Sequence, residues 1–397
     1  MSDWLDVTLS DLVQHVDERR GDEKVSTVLS VTEKRGIIPQ REVFKKRIAT
    51  DDTSKYKVLQ PLDIAYNPYL LWTGAIGQWL GSQAGVTSPV YETFRTRTEH
   101  DARFVGLLLT SGALTPYFDA TAIGSIQRRR RTPVSVFLAA PTLVPPLADQ
   151  RRIVAVMSAI DTHIESLQAE LAAERAMRRP LLSDLLSHGG AAPTELGAIG
   201  TFIRGRRFTK AQFTDGGLGC IHYAEVHTHF GPIATETRQF LDNDLRTQMR
   251  LARPGDVIVA ATSENLADLG KATVWLGNSE VAVHDDCYIY RHELDPRFAS
   301  YLFASAEFQR QKVQFATGTK VTRISGENLG KIKVPIPPYA TQVEIGQKLT
   351  FTDVAAAARL SELAALCHVR TELLTALLSQ IISIGEAVDQ FIEPAAA

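Results

Sequence analysis

The stretch Pro145–Ser187, PPLADQRRIVAVMSAIDTHIESLQAELAAERAMRRPLLSDLLS, decides how the chain is organised, because it occurs twice. Pro337–Ser379, PPYATQVEIGQKLTFTDVAAAARLSELAALCHVRTELLTALLS, aligns with it without a gap at a constant shift of 192 residues, from 145 to 337. The shared positions include Pro146/Pro338, Gln150/Gln342, Ile153/Ile345, Asp161/Asp353, Leu171/Leu363, Arg178/Arg370, Leu182/Leu374 and Leu186/Leu378. A repeat of this length fixes architecture before any residue chemistry is considered.

Both copies predict long helices, since each follows a Pro-Pro pair and then runs almost free of glycine. In the first, Ile153, Met157, Ile160, Ile164, Leu167 and Leu171 alternate steps of four and three, the seam of a coiled coil. Glu174 and Arg178 interrupt it before Leu181 and Leu185 resume it. In the second the seam is Ile345, Leu349, Ala356, Leu363, Leu366, Leu373 and Leu377. Roughly 40 residues at about 1.5 Å each make a rod of about 60 Å, so a helix pair covering each other's stripes is a spacer, and Pro180 is expected to break or kink the first rod.

The flanking segments correspond as well. Gln60–Ile64 sits opposite Arg253–Val257, and Asp101–Phe104 opposite Asp295–Phe298. Runs such as Asp256–Ala261 and Val281–Tyr290 predict strands, with a helix near Phe298–Gln314. The expected fold class is mixed α/β (α+β), two domains in a pseudo-twofold repeat separated by two long antiparallel coiled-coil helices. The boundaries are a first domain over 1–144, a helix over 145–188, a linker over 189–193 (with GGAAP as its core), a second domain over 194–336, a helix over 337–384 and a tail over 385–397.

Bulk properties exclude several classes. The 397 residues are 44% hydrophobic and 22% charged, which is ordinary globular composition. The first twenty residues carry Asp3, Asp6, Asp11, Asp17 and Glu18, unlike a signal peptide, and no stretch is long and apolar enough to cross a bilayer. Cysteines 220, 287 and 367 are scattered, which fits a reducing compartment, so a cytoplasmic location is expected. A net charge of −2 argues against indiscriminate coating of DNA but permits sequence-specific binding by local basic patches.

The duplicated helix with its Pro-Pro turn, Gln, Ile, Asp and terminal Leu-Leu resembles the specificity subunits of Type I restriction–modification enzymes, over essentially the whole chain. Ile64–Asn67, Gly74–Gly77 and Val86–Tyr91 in the first domain, and Leu251–Val259 and Gly318–Ser325 in the second, are similar to segments of that family's target-recognition domains. Asp149-Gln150 and Thr341-Gln342 stand where the family often has Glu-Gln. The resemblance implies a non-catalytic subunit that reads a split double-stranded DNA target and directs adenine methylation and restriction in phage defence. Two methyltransferase (M) subunits and restriction/translocase (R) subunits are the implied partners, with S-adenosylmethionine, ATP and Mg on those subunits and none here. Two readers about one helical turn apart enter the duplex from one side. The alternatives are a helical scaffold, or a specificity module for another DNA-modifying effector.

An enzymatic reading finds little support. Asn67-Pro68-Tyr69 lacks the second proline of an amino-methyltransferase motif, and no hydrophobic strand precedes Asp215–Gly219 as a nucleotide-binding turn requires. His222, His227, His229 and His284–Cys287 match no zinc spacing, no P-loop is present, and no Ser/His/Asp set stands out. The DNA-binding candidates are therefore basic. Arg128, Arg129, Arg130 and Arg131 fall in the first domain where the second has Lys320 and Arg323, which suggests phosphate or guanine contacts in both halves. Lys45 and Lys46, Arg204, Arg206, Arg207 and Lys210, and Gln78 complete the set.

Overall fold

The computed structural model describes residues 4–21, 25, 27–43, 52–124, 130–187 and 192–391. It divides into two units, Met1–Ser166 with Leu363–Ala397, and Leu167–Glu362. Each unit therefore holds one mixed domain plus part of each long helix, so the division cuts both helices.

In the first unit, β1 (Val13–Val16), β2 (Ile64–Tyr66), β3 (Ile76–Gln78) and β4 (Glu92–Thr96) form a sheet in the order β1-β4-β2-β3. A second sheet sets Val28–Thr32 parallel to Gly85–Thr87. Helix α1 (Ala102–Thr110) opens at Asp101, whose carboxylate accepts the N–H groups of Arg103 and Phe104 as an N-cap. Tyr66, Phe94, Phe104, Phe118 and Phe137 fill the core, closed on one side by Ile153 and Met157 of α2 (Leu147–Ser187).

The second unit repeats this plan. Its sheet runs β5-β8-β6-β7 from β5 (Gly200–Arg204), β6 (Val257–Ala260), β7 (Ala272–Trp275) and β8 (Cys287–His292), with Ile233–Ala234 added at the edge. The second sheet again contains a parallel pair, Leu218–Ile221 beside Val281–Val283. Helix α3 (Pro296–Leu302) is capped by Asp295 as α1 is by Asp101. Tyr290, Phe298, Phe303 and Phe308 pack with Leu182 of α2 and with Ile345 and Leu349 of α5 (Tyr339–Leu378).

The repeated sequence positions are explained by one set of bonds made twice. Gln150 Oε1 accepts the Asp101 N–H at 2.9 Å while its Nε2 donates to the Pro145 carbonyl at 2.9 Å. Gln342 does the same with Asp295 (2.9 Å) and Pro337 (2.8 Å). Arg95 grips Asp63 through two 2.9 Å bonds, and Arg291 grips Asp256. Gly346 stands in the first turns of α5 because a Cβ there would lie 2.8 Å from the Asp295 carboxylate and 2.9 Å from the Phe298 nitrogen.

Within each unit the two helix segments run antiparallel, seam to seam. Ile153, Met157, Ile164, Leu167 and Leu171 are buried as the periodicity predicts, and Ile345, Leu349, Leu374 and Leu377 bury from the other helix. Four details depart from the sequence reading. Helix α2 runs on through Pro180 instead of ending there, its last turns held by Leu181, Leu182 and Leu185 against the second core. Helix α5 stops at Leu378 rather than 384, where Gln380 adopts φ 58°, and a 3-10 helix at Glu386–Phe391 occupies the expected tail. The helix expected near Phe298–Gln314 is split, because the Ser305 hydroxyl caps a separate helix α4 (Ala306–Phe315). Pro193, assigned to the linker, opens a short strand paired with Lys333–Pro335, while the linker positions 189–191 lie outside the described residues.

Candidate nucleic-acid interface

Both units close a basic loop with the same bonds. In the second, the Thr317 N–H donates to the Arg323 carbonyl at 2.9 Å and the Arg323 N–H returns to Thr317 at 2.8 Å. Gly318 turns the chain at φ 97°, and a Cβ there would lie 2.2 Å from the Val321 carbonyl oxygen, so the turn demands glycine. In the first, Ile123 and Arg131 exchange bonds of 2.8 and 2.9 Å, and Gly124 stands at φ 123°. The residue after each loop then docks on the end of the central sheet, Thr132 N–H to the Pro68 carbonyl at 2.9 Å and Ile324 N–H to the Ala261 carbonyl at 3.0 Å. Two loops with little sequence in common are thus held by one scaffold.

The side chains differ. Lys320 is exposed at the tip of the second loop and Arg323 at its base, on a two-residue strand paired with Thr262–Ser263. Ala261 also donates its N–H to Asp286, and Thr262 reaches the Asp286 carboxylate, so the loop base is tied to the turn His284–Asp286. Arg204, the last residue of β5, donates to the Asp285 carbonyl at 3.0 Å and thus reaches the same turn. Arg206, Arg207 and Lys210 follow it, exposed and with no side-chain partner among the described residues.

In the first loop Arg130 is turned inward. Its guanidinium lies 4.6 Å from the Trp72 ring centroid and pairs with Asp119 at 2.7 Å, while a second nitrogen donates to the Asp119 carbonyl. Arg131 is half exposed with Glu92 3.7 Å away, the same carboxylate that holds buried Lys57 at 3.1 Å. Lys45, Lys46, Arg128 and Arg129 lie outside the described residues. Gln78 requires a correction: it is buried, and its Nε2 donates to the Leu62 and Ala102 carbonyls at 3.0 and 2.6 Å. Its amide joins β3 to the start of α1, with its Nε2 donors committed to backbone carbonyls.

The histidines do not converge. His229 faces Arg238 at 3.2 Å, and burial holds His222 and His227 below the ordinary histidine range, which keeps both neutral at pH 7. His284, Asp285 and Asp286 bring ligand atoms within 4.8 Å of one another, but Arg204 already lies 3.6 Å from the Asp285 carboxylate and answers its charge. Trp72 beside the first loop and Glu264 beside the second are half-exposed and exposed neighbours that sequence reasoning did not single out, and Tyr69, weighed there only within the Asn67-Pro68-Tyr69 motif, is exposed as well. Only their nearness in space to the loops marks them. No helix among the described residues is long and apolar enough to cross a membrane.

Comparison with known proteins agrees with this geometry. Residues 192–357 match the family described as Type I restriction modification DNA specificity domain. The chain is 22% identical over 383 residues to the Type I restriction enzyme MjaVIII specificity subunit of Methanocaldococcus jannaschii, covering 88% of this chain and 86% of that protein. The match places a domain of that family in the second unit, and the chain is similar to a Type I restriction enzyme specificity subunit over most of its length. Two solved structures share the fold of this chain. One is a chain from work on complex assembly and conformational transition of the type I R-M system, with a TM-score of 0.57, 17% identity and coverage of 94% of this chain and 97% of that one. The other is the S subunit of a Type I restriction–modification system from M. genitalium, with a TM-score of 0.55, 14% identity and coverage of 94% and 95%.

Proposed function

We propose that this chain is a specificity subunit that binds double-stranded DNA in the cytoplasm through the two basic loops, one per unit, and reads a target of two specific parts separated by unread bases. The carrying observation is the loop closed by reciprocal bonds in both units, Ile123 with Arg131 and Thr317 with Arg323. A scaffold that conserves loop geometry while loop sequence varies suits readout, in which side chains change and register does not. Lys320, Arg323, Arg206, Arg207 and Lys210 serve the second half-site, with Arg204 bracing the turn. Arg131 serves the first, together with Lys45, Lys46, Arg128 and Arg129, while Arg130 positions the loop through Trp72.

The long helices then carry two methyltransferase subunits, and through them the restriction subunits, directing adenine methylation and cleavage. Their mutual seam uses one stripe of each helix and leaves Phe351, Val354 and Val369 exposed for partners. Mapping methylated adenines in the source genome with and without this gene tests the reading. A gapped, non-palindromic motif that vanishes with the gene supports it, and an unchanged methylation pattern refutes it.

A further inference from the structure

Each unit contains a cleft between its sheet edge and the long helices, and the two clefts are built from corresponding residues. In the first unit Leu107, Thr110, Met157 and Arg370 line a space of about 390 Å³ with Gly77 of β3. In the second, Tyr301, Ala304, Leu349 and Arg178 line about 520 Å³ with Ala272 of β7. Met157/Leu349 and Arg370/Arg178 keep the 192-residue shift of the helices, and Leu107/Tyr301 and Thr110/Ala304 the shift of 194 seen in the domains. Large and small residues have been exchanged throughout, yet neither cleft has been filled. Closed packing is the norm inside proteins, so a void retained twice under sequence divergence points to an occupant that comes twice.

The linings state its chemistry. The second cleft carries Arg175, Arg178 and Lys271, the last paired with Asp268 at 2.7 Å, beside the neutral His227 and with no acidic residue in its lining, over a floor that includes Leu182, Phe230 and Leu349. The first carries Arg35, Arg103 and Arg370 against Asp161 alone, over Trp79, Leu107 and Met157. Arg103 and Arg175 have no partner within the described structure, while the other arginines are paired with Glu42, Asp161 and Asp353. A bare phosphate would satisfy the cations but leave the apolar floor wet. A peptide that offers a carboxylate beside an aliphatic or aromatic side chain covers both.

We propose that each cleft receives an acidic segment with an apolar anchor from one methyltransferase subunit, so that the two clefts set a stoichiometry of two. This rests on the partner reading above and adds the place and chemistry of the contact. The experiment is native mass spectrometry and titration of the full-length chain with a Type I methyltransferase subunit from the same source, for wild type, Arg103→Glu, Arg175→Glu and the double variant. Arg103→Gln and Arg175→Gln serve as milder versions, and thermal melting checks the fold. Each single reversal is expected to weaken one copy roughly tenfold or more and leave the other, and the double variant to lose both. DNA binding by the isolated chain should not change. Folded double variants that still hold two copies at wild-type affinity overturn the proposal, as does loss of DNA affinity with partner binding intact, which would assign the clefts to phosphate. If the wild type binds no methyltransferase, the partner reading itself fails, and the clefts with it.

Discussion

Arg370 of α5 grips Asp161 of α2 through its Nε and Nη2, the latter at 2.9 Å, and 192 residues away the pair returns with the helices exchanged, Arg178 of α2 donating to Asp353 of α5 at 3.0 Å. A direct repeat whose two copies pair antiparallel must produce this crossing. Each copy supplies an acid to one unit and an arginine to the other. In the second unit the Tyr301 hydroxyl also donates to Asp353 at 2.8 Å, so that acid keeps a partner if its arginine is removed.

Replacing Arg370 by methionine should therefore cost more than replacing Arg178. Both pairs are partly solvated, which limits each to about 1 kcal/mol, and a double-mutant cycle on Asp161 and Arg370 by urea unfolding should recover a coupling of that order. A coupling for Asp353 and Arg178 as large as that for Asp161 and Arg370 would show that Tyr301 gives no support.

The Gln150 and Gln342 clamps should matter more. Replacing Gln342 by leucine keeps the bulk but strands the buried Asp295 N–H and Pro337 carbonyl, at roughly 1–3 kcal/mol for each group left unsatisfied. The expected result is a transition lowered by several degrees in calorimetry, with the same effect for Gln150→Leu. A change within error would mean that water replaces the amide.

These two relationships mark what was legible in the sequence. Helix seam, domain order and the shared Gln, Asp and Arg positions were visible because a repeat keeps what geometry requires. The pairing of Arg178 with Asp353 was not, since Arg178 looks like an interruption of the α2 seam until the antiparallel partner is in place. Among candidate DNA contacts, Lys320 and Arg323 are exposed as a readout residue should be. Gln78 was misplaced because Gly106, opposite it on α1, leaves room for the amide to turn inward; a Cβ there would lie 2.1 Å from Gln78 Oε1. A glycine 28 residues away carries no local sign of that role.

Acid should loosen the second unit through His292. Its Nδ1 accepts the Leu294 N–H at 3.1 Å, which leaves the proton on Nε2, buried without a partner, and burial lowers its pKa to about 4. The unfolded chain, near 6.5, binds the proton first, so this group's contribution is full above pH 6.5 and is lost as pH falls toward 4. Lys312, lowered to about 8 by burial, gives a second window in which stability rises between pH 8 and 10.5. His292→Phe should flatten the acid slope of thermal stability and leave the alkaline one. An unchanged acid slope would place the titration elsewhere.

The loops make the sharpest functional prediction, because phosphate and base contacts respond differently to salt and sequence. Lys320 stands exposed at a loop tip with no partner among the described residues, as a phosphate contact would. Lys320→Ala should weaken binding to every DNA by a similar factor and reduce the slope of log affinity against log salt by about 1. Arg323 is fixed by reciprocal backbone bonds to Thr317 and a strand beside Thr262, which gives its guanidinium the defined origin that base reading needs. Arg323→Ala should therefore relax preference at one position of one half-site, by about 1–3 kcal/mol of discrimination, and leave the other half-site untouched. Fluorescence anisotropy against a library of substituted duplexes across a salt series separates the two. Should Arg323→Ala change both halves of the target, or Lys320→Ala alter base preference while the salt slope holds, the assignment of one loop to one half-site would be wrong.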